Sequence, residues 1–556
     1  MSKRWTRRWR WPARLLAVGG SSAALVWVFR KIDLSALLVT FRTMDLGWYA
    51  AAQFIFGIGL LGSAIRWHLM LRLNHEAVVH AAASVRMVFI SQFFNTMFGG
   101  PSGGDIPKTA LYAKWFGVPA SDVLAASLLD RMTSSIGGMI FVPMALTLGA
   151  VTGGFGFLAR WQFQAPGMWV IWVALLLLGL ASGLLIWTAR RPASFLGRSL
   201  AAFRKSARFL VGSRRRAAHA VGCAFLTAIL FNVTQICCLQ AVSPEPVPWA
   251  RLFWMYQLVT VVSSMPVGMA GTGLREGASM VLLGQYNIAA PTAVAAAMLT
   301  LSVHLSWAAL GAGILLREHR LRRNLPKPVA PSGISAVLPV LNEAGQVQQT
   351  IERLQSIPEI REIIVADGGS TDGTREIASR LGCRVIAAPR GRGRQLGAGA
   401  GLAREDVVLM VHADTWLNRD AGAALLRCLR DPLVVGGGFW KHFRNPPWML
   451  RGSRFRCWLR IWWSGRILGD QALFVRRPVL EAVGGVPDLA LMEEVALCQK
   501  LRQRGRLVLA GAAVSTSDRR FRKFGIARTY WRMFRVCRAY RRGVPVEELA
   551  KIYEGT

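Results

Sequence analysis

The sequence predicts two domains of different physical class. A polytopic α-helical membrane domain covers residues 1–320, and a doubly wound (Rossmann-like) α/β domain covers 333–556. Three observations carry this reading. At 556 residues the chain is too long for one ordinary core. Its 53% hydrophobic share and mean hydropathy of +0.34 are high for a soluble protein, and long apolar runs crowd the part before residue 317. After residue 333, short β-branched runs alternate with amphipathic stretches, the pattern of βαβ units around a mainly parallel sheet.

In the first half, runs at about 12–29, 46–65, 123–150, 168–188, 218–241 and 290–316 each approach the roughly 20 residues that cross a bilayer core. The basic start, MSKRWTRRWRWPARLLAVGG, reads as a cytoplasmic end leading into the first of these, because no small-residue cleavage site precedes Arg30 and Lys31. Segment 189–217 carries nine basic residues and no acid, so the positive-inside rule makes it cytoplasmic. Segments 151–167 and 242–249 hold almost no Lys or Arg and are expected outside. Segment 317–328, REHRLRRNLPKP, is again basic and expected inside. The reading is a multi-pass protein of the bacterial inner membrane with both termini cytoplasmic.

Two apolar stretches, 87–107 and 255–276, are not simple spans, since a single crossing by either would put some basic segments outside. Aligned on Met97 and Met265, each shows a Met, then Gly100 or Gly268, then Gly103 or Gly271. Charge follows, Asp105 and Lys108 in one and Arg275 and Glu276 in the other. Paired, interrupted segments at matching places point to a cavity at an inverted repeat; ordinary loops with helix-breaking glycines are the alternative. Asp130 and Arg131, inside the run 123–150, either face a partner or a cavity or snorkel to headgroups.

A net charge of +38, from 68 Lys+Arg against 30 Asp+Glu, calls for anionic partners. With this much apolar sequence, lipid headgroups and phosphate-bearing substrates come before nucleic acid, for which no motif is present. The eight cysteines are scattered with no CxxC pair, which points to neither a zinc site nor a disulfide framework.

In the second half, strands are expected at 333–341, 362–367, 383–388 and 406–412, with helices at 343–356, 373–381, 393–403 and 418–430. Ligands of such sheets bind beyond the carboxyl ends of the strands. There the sequence places Pro339-Val340-Leu341-Asn342-Glu343, then Asp367 followed by Gly368 and Gly369, then His412-Ala413-Asp414-Thr415. Asp414 suits a hard divalent cation whose other positions go to a diphosphate. The stretch APRGRGRQLGAG, 388–399, sets Arg390, Arg392 and Arg394 among glycines before a helix and suits an anion. Further on, LGDQALFVRR (468–477) and LMEEVALCQKLRQRG (491–505) place acids at the start of a strand and of a helix. Glu493 and Glu494 either cap that helix or take a proton from an acceptor hydroxyl.

PVLNE, VADGGSTDGT, GRGRQL, HADT, GDQALFVRR and the EE of LMEEVAL, in this order, resemble the inverting family 2 glycosyltransferases, which have the GT-A fold. The resemblance implies that Pro339, Glu343 and Asp367 bind the nucleotide, with Asn342, Gly369, Arg390, Arg394 and Gln395 in the same donor-binding set. It implies that Asp414 holds Mg²⁺ or Mn²⁺ with the diphosphate, and that Asp470 and Gln471 contact acceptor or donor sugar. Glu494 stands where the family's base, commonly Asp, sits, with Glu493 beside it as the alternative. His412 stands where many relatives have the first Asp of a DxD motif, so it enters the metal site as the second candidate ligand. In the first half, PSGGDIPKTALY, SLLDRM and MPVGMAGTGLREGA resemble the flippase-like membrane domain shared with lysylphosphatidylglycerol synthases. That resemblance implies movement of a lipid or lipid-linked group between leaflets.

Two stretches mix Arg with Trp, Phe and Tyr: 446–463 and 519–543. They read as interfacial helices on anionic membrane lipids, or as core helices with a basic face. The main functional expectation is a membrane-bound inverting glycosyltransferase. It moves sugar from a nucleotide-sugar to a lipid or polyprenyl-phosphate acceptor at the cytoplasmic leaflet, and its membrane domain translocates the product. The rival is a lipid transporter or flippase whose C-terminal domain binds nucleotide-sugar as a regulatory module.

Overall fold

A computed structural model describes residues 34–73, 79–98, 103–151, 195–263, 273–323, 331–444, 457, 460, 466–489, 491–517, 521, 524–545 and 548–549. The chain divides into two compact units, Met1–Arg323 and Asn324–Thr556. The runs expected to span at 12–29 and 168–188, the segment 151–167 beyond its first residue, and Met265, Gly100, Gly268 and Gly271 lie outside the described residues. So does most of the 446–463 stretch.

The first unit is helical: α1 Leu34–Arg42, α2 Leu46–Leu73, α3 Ala81–Phe98, α4 Asp105–Phe116, α5 Ala120–Val151, α6 Phe195–Val211, α7 Arg214–Gln240, α8 Trp249–Ser263, α9 Leu274–Gly284 and α10 Ala290–Arg322. Among the described residues, α2, α7 and α10 are long and apolar enough to cross a membrane. Asp45 caps α2, its carboxylate accepting the amides of Gly47 at 2.6 Å and Trp48 at 3.3 Å. Glycines let the helices approach closely. A Cβ at Gly57 would lie 2.6 Å from the Trp307 ring, and one at Gly59 2.6 Å from Phe231.

The described residues of both interrupted stretches form helices on either side of residues 99–102 and 264–272, which lie outside the described ones. α3 ends at Phe98 and α4 opens at Asp105; α8 ends at Ser263 and α9 opens at Leu274. In each, the amide of the glycine before the short helix is held by a side chain. Asn95 accepts from Gly104 at 2.7 Å, and Glu276 accepts from Gly273 at 2.5 Å. Asp130 and Arg131 face in different directions to different partners. Asp130 takes the Arg66 guanidinium of α2 through both oxygens, at 2.7 and 3.3 Å, while Arg131 pairs with Asp105 of α4 at 2.6 Å. Buried charge at this depth is tolerated because it is paired.

The second unit carries β1 Ile334–Val340, α11 Ala344–Gln355, β2 Ile360–Asp367, α12 Thr374–Arg380, β3 Arg384–Ala387, α13 Arg392–Gly401, β4 Val407–Met410, β5 Thr415–Leu417, α14 Ala421–Cys428, β6 Val434–Phe443, β7 Leu473–Arg476, α15 Arg477–Ala482, α16 Glu493–Arg504, β8 Arg506–Thr516 and α17 Ile526–Arg541. One eight-stranded sheet has the order β3-β2-β1-β4-β7-β6-β8-β5. Alternation along β1 divides the core. Ile334, Ala336 and Leu338 join the cluster with α11 and α14, and Val337 joins the one with α13 and α16.

The sheet refines the expectation of a mainly parallel one. Four of its seven pairings are parallel, those among β3, β2, β1 and β4 and that of β6 with β8, but it is mixed, because β7 is antiparallel to β4 and to β6 and β5 is antiparallel to β8. The sequence hides this half because β5 and β7 have three and four residues and β6 carries Gly436, Gly437 and Gly438 near its start. Those glycines serve close packing: a Cβ at Gly437 would overlap the Phe474 ring and the Val508 carbonyl. All eight cysteines are free thiols.

Phe439 is fully buried and meets Phe474 edge to face at 5.7 Å between ring centroids. Replacing Phe439 by Ala is expected to destabilise the α/β unit by about 3–5 kcal/mol. Differential scanning calorimetry of the full chain in detergent reads this as a lowered midpoint of one transition; an unchanged thermogram contradicts the core assignment.

Candidate active site

The carboxyl ends of β1, β2 and β4 share one rim of the sheet, with Val340 in register with Asp367. Because β7 runs antiparallel to β4, pairing Met410 with Leu473, the single 3₁₀ turn Gly469–Gln471 that leads into β7 arrives at this same rim. α16 opens there as well, with Glu493 and Glu494 in its first turn. These ends surround a cavity of about 760 Å³ whose wall includes Pro339, Glu343, Gln395, His412, Asp414, Asp470, Glu493 and Glu494.

His412 Nε2 lies 3.1 Å from Glu494 Oε1, and the ring donates to the carboxylate. Burial works to raise the Glu494 pKa, but the His412 hydrogen bond and charge, Arg392 and the Gly469 amide outweigh it and hold the carboxyl below its ordinary value. Glu493 goes the other way. Burial first, then the neighbouring Glu494 charge, push it up to about 7, with Arg392 at 3.7 Å as partial compensation. The two adjacent acids are thus pushed in opposite directions, Glu494 toward the ionised form and Glu493 toward the protonated one. The longer Glu at the position of the expected base is accommodated by His412, which fixes its outer oxygen.

Asp470 is the third carboxylate. Burial acts to raise its pKa, but Lys441 and Arg460 prevail and keep it low; Lys441 Nζ is 2.5 Å from Oδ2. Among the described residues its buried Oδ1 has no hydrogen-bond partner. Gly469 makes this crowding possible, because a Cβ there would overlap both His412 Nε2 and Glu494 Oε1. Of the four non-glycine residues with positive φ among those described, Met492 at 67° lines the cleft, Asn342 at 54° stands in sequence between the lining residues Leu341 and Glu343, and Ala472 at 51° is separated by one residue from Asp470, which also lines it. Strained backbone of this kind gathers at functional sites.

The expected donor-binding residues fall into two groups. Pro339, Glu343, Gln395 and Asp414 line the cavity. Arg444 Nη2 donates to the Asp414 carbonyl at 3.0 Å and its guanidinium stacks 3.5 Å from Trp416, which fixes the backbone of the Asp414 turn. Gln395 also ties the sheet together, its amide donating to the carbonyls of Val340 at 2.7 Å and Ala366 at 2.9 Å. Asn342, Asp367, Gly369, Arg390, Arg394 and Gln471 are not on the cavity wall. Asp367, 1% exposed, accepts the amides of Gly369 and Ser370 and the Ser370 hydroxyl. Asn342 Oδ1 accepts the Thr371 amide at 2.9 Å, knitting the two turns together. Asp372 accepts the Thr374 amide at 3.1 Å, so the second acid of the DGGSTDGT stretch caps α12. Arg394 pairs with Asp488 at 2.9 Å and Arg390 is exposed. Gln471 is buried, with Oε1 accepting from Arg460 and Nε2 donating to Phe439 O at 3.1 Å. Its role is to position Arg460, which does line the cavity.

Sequence reasoning missed Lys441 and Arg460, and it took Arg392, the guanidinium that reaches the wall, only as one of three. The signal for Lys441 was a lone cation in an apolar strand. Arg460 was hidden within a basic-aromatic stretch. Among the described residues no three His, Cys, Asp or Glu side chains cluster as a metal cage. His412 Nε2 is engaged by Glu494, while the second expected ligand, Asp414, lies on the same cavity wall. Asp414 Oδ1 has only a long 3.4 Å contact from Thr415, and a hard carboxylate so little engaged fits a cation completed by phosphate oxygens.

The model of the lysylphosphatidylglycerol synthase TM region matches residues 14–313, more than half of the chain, and that of glycosyl transferase family 2 matches 335–484. The chain belongs to the lysylphosphatidylglycerol synthase TM-region family, joined to a family 2 glycosyltransferase domain. It is 31% identical over 142 residues to an uncharacterized glycosyltransferase of Mycobacterium tuberculosis (strain ATCC 25618 / H37Rv), a match covering 23% of this chain and 60% of that one. With the succinoglycan biosynthesis protein ExoA of Rhizobium meliloti (strain 1021) it shares 53% identity over 47 residues, 8% of this chain and 14% of the relative. The chain thus spans 60% of the first of these relatives and 14% of the second, less than two thirds of either. Among solved structures it is similar to the mannosyltransferase PcManGT from Pyrobaculum calidifontis in complex with GDP-Man and Mn²⁺, with 21% identity, TM-score 0.31, and 42% and 70% of the two chains covered. Glucosyl-3-phosphoglycerate synthase from Mycobacterium tuberculosis gives 20% identity, TM-score 0.26, and coverage of 34% and 70%.

Two outcomes are expected from this geometry in the family 2 domain. Gly469→Ala displaces His412 from Glu494 and lowers turnover by about 10²-fold or more, on the scale of losing a positioned acid or base. An assay of nucleoside diphosphate release measures it, and near-normal turnover contradicts the packing. The second concerns Glu493, whose pKa in the folded state stands above its ordinary 4.5. Its contribution to stability is complete below pH 4.5 and is lost as pH rises toward about 7. Glu493→Gln should remove that part of the slope, read as a smaller difference in thermal midpoint between pH 4.5 and pH 8.

Proposed function

We propose that the protein is an inverting glycosyltransferase that moves a sugar from a nucleotide-sugar to a lipid-borne acceptor, a polyprenyl phosphate or a lipid hydroxyl, at the cytoplasmic leaflet of a bacterial inner membrane. The observation that carries this is the divided acid pair in the cleft of a family 2 domain. Glu494 is held ionised by His412 and Gly469, beside an ionised Asp470 and a lightly engaged Asp414. A divalent cation, Mg²⁺ or Mn²⁺, held by Asp414 and the donor diphosphate would offset charge on the departing nucleoside diphosphate.

The chain's own groups do the rest. Pro339 and Glu343 border the donor end of the cavity, and Arg392 supplies a cation beside the leaving diphosphate. The acceptor oxygen attacks the anomeric carbon from the face opposite the leaving group, and the C–O bond to the diphosphate breaks as the new one forms. For a hydroxyl acceptor Glu494 takes the proton. A phosphate acceptor arrives ionised and needs little help. Asp470, locked to Lys441, offers Oδ1 to a sugar hydroxyl.

The acceptor side favours lipid. α17 presents one face to the cavity through Thr529, Met533 and Val536. Its opposite face exposes Trp531 at 61% and Phe534 at 54% with Arg528, Arg535 and Arg538. Exposed rings among arginines suit the headgroup region of an anionic leaflet. Such a helix delivers an acceptor head to the cleft while its tail stays in lipid.

The full chain in nanodiscs, given radiolabelled UDP- and GDP-sugars and a lipid extract, should transfer label to lipid, and Asp414→Ala should lower this by at least 10²-fold. Equal transfer by the two proteins removes the site assignment. Nucleotide-sugar binding with no transfer by either protein favours the regulatory reading. Glu494→Gln then sorts the acceptor, with a loss of about 10²–10⁴ for a hydroxyl and a small change for a phosphate.

A further inference from the structure

The helical unit encloses a second cavity, of about 590 Å³, unrelated to the glycosyltransferase cleft. All three membrane-length helices contribute to its wall, with Ser63 and Arg66 from α2, Asn232 and Gln235 from α7, and Thr300 and His304 from α10. Both interrupted segments reach it, through Gln92, Asn95 and Lys108 on one side and Gln257, Thr260 and Arg275 on the other. Polar side chains at membrane depth are costly unless something polar is there to meet them.

The chemistry of the wall is specific in two respects. Its charges nearly cancel, leaving one cation over. Arg66 is neutralised by Asp130 at 2.7 Å and Arg275 by Glu276 at 2.8 Å, but Lys108 and Arg131 share the single carboxylate of Asp105, at 2.8 and 2.6 Å. A surplus of one positive charge matches one phosphodiester. It opposes an ammonium-bearing headgroup such as lysylphosphatidylglycerol, the lipid in the family's name. The second respect is the abundance of neutral amides and hydroxyls. Five carboxamides line the cavity, those of Gln92, Asn95, Asn232, Gln235 and Gln257. Asn232 is 2% exposed; its amide donates to Phe253 O at 3.1 Å, and its Oδ1 has no hydrogen-bond partner among the described residues. A buried carbonyl of this kind requires a donor. Phe56 and Phe231, whose rings lie 5.3 Å apart, add apolar faces to the wall. Amides that give and accept, rings to lie against and one unspent cation together fit a polyhydroxyl group on a phosphodiester.

We infer that the membrane unit holds a binding site for a lipid headgroup in which a sugar or similar polyol is joined through phosphate to the lipid. Its amide wall reads the hydroxyls, and the Lys108–Arg131 side takes the phosphate. The inference rests on the glycosyl-transfer reading only for its source. The headgroup comes either from the product of the family 2 domain or from a phosphatidylpolyol of the bilayer, and both share this chemistry.

The test uses the full chain in nanodiscs and a photoprobe, farnesyl phosphoryl-glucose with a diazirine next to the phosphate, with labelled peptides mapped by mass spectrometry. Label is expected in peptides containing residues 89–96 or 228–235. Unlabelled farnesyl phosphoryl-glucose should compete at least tenfold better than farnesyl phosphate or dioctanoyl lysylphosphatidylglycerol. Equal competition by dioctanoyl phosphatidylinositol supports the site and assigns it to a bilayer lipid; weak competition supports it and assigns it to the transfer product. Asn232→Leu should cut cavity labelling at least tenfold. Because Asn232 also bonds to Phe253, Gln257→Leu on the neighbouring helix serves as a second variant, expected to act in the same direction. Label confined to residues 335–541, or equal competition by the sugarless or cationic lipid, overturns the inference. Asp414→Ala separates the two readings, since it should remove transfer and leave cavity labelling unchanged. Labelling without any transfer by the parent chain leaves the cavity site standing and the transfer reading fallen.

Discussion

Glu494 and Asp470 remain ionised inside a cleft whose burial opposes charge, and the braces that keep them so govern how the surrounding chain is built. His412 donates to Glu494, and that contact exists only because Gly469 has no side chain. Gly469 in turn belongs to a 3₁₀ turn that ends on Ala472 with φ 51°, a conformation held by the entry into β7. Lys441 reaches Asp470 from β6, a strand whose glycines let it pack tightly against β7 and β8. Removing any one brace leaves a buried carboxylate uncompensated, which costs more than the contact itself contributes. The same contact gives His412, at the position where the resemblance leads one to expect an acid, a hydrogen-bonding partner in Glu494.

A similar constraint shapes the helical unit. Its buried cations find carboxylates on other helices or beside them, Arg66 with Asp130, Lys108 with Asp105 and Arg275 with Glu276, so that among the described residues the buried ions are paired. Gly57, Gly59 and Gly137 let helices approach until rings and methyl groups touch, which matters where lipid offers no hydrophobic drive for association. The two short helices α4 and α9 fit this scheme, since each is preceded by a glycine whose amide a side chain satisfies. Five carboxamides and several hydroxyls line the cavity between these helices.

Much of the candidate site could be read along the chain because strand ends announce themselves. An apolar run that stops on Asp367 or on His412-Ala413-Asp414 is a strand reaching a rim. Distribution of labour within that rim could not be read. Asp367 and Asn342 resemble ligand contacts in sequence, yet in the fold their polar atoms hold two turns together. Arg390, Arg392 and Arg394 are equivalent in spacing, and only the start of α13 decides that Arg392 meets the cavity. Gln471 looked like a sugar contact and instead anchors Arg460.

By itself the sequence determined the two classes of domain, the approximate place of most helices and of the first four strands, and the identity of the acids that matter. These follow from local properties: hydropathy over a bilayer's length, periods of 3.6 and 2, and glycine next to carboxylate. Tertiary structure alone decided that β7 runs against β4 and so carries Asp470 to the rim, and that Asp130 and Arg131 turn to different helices. It also decided which glutamate of the adjacent pair is pushed toward the protonated form and which toward the ionised one. Each of these depends on which groups distant in the chain come within a few ångströms, and the energies that settle them, desolvation against charge pairing, exist only once burial has brought those groups together.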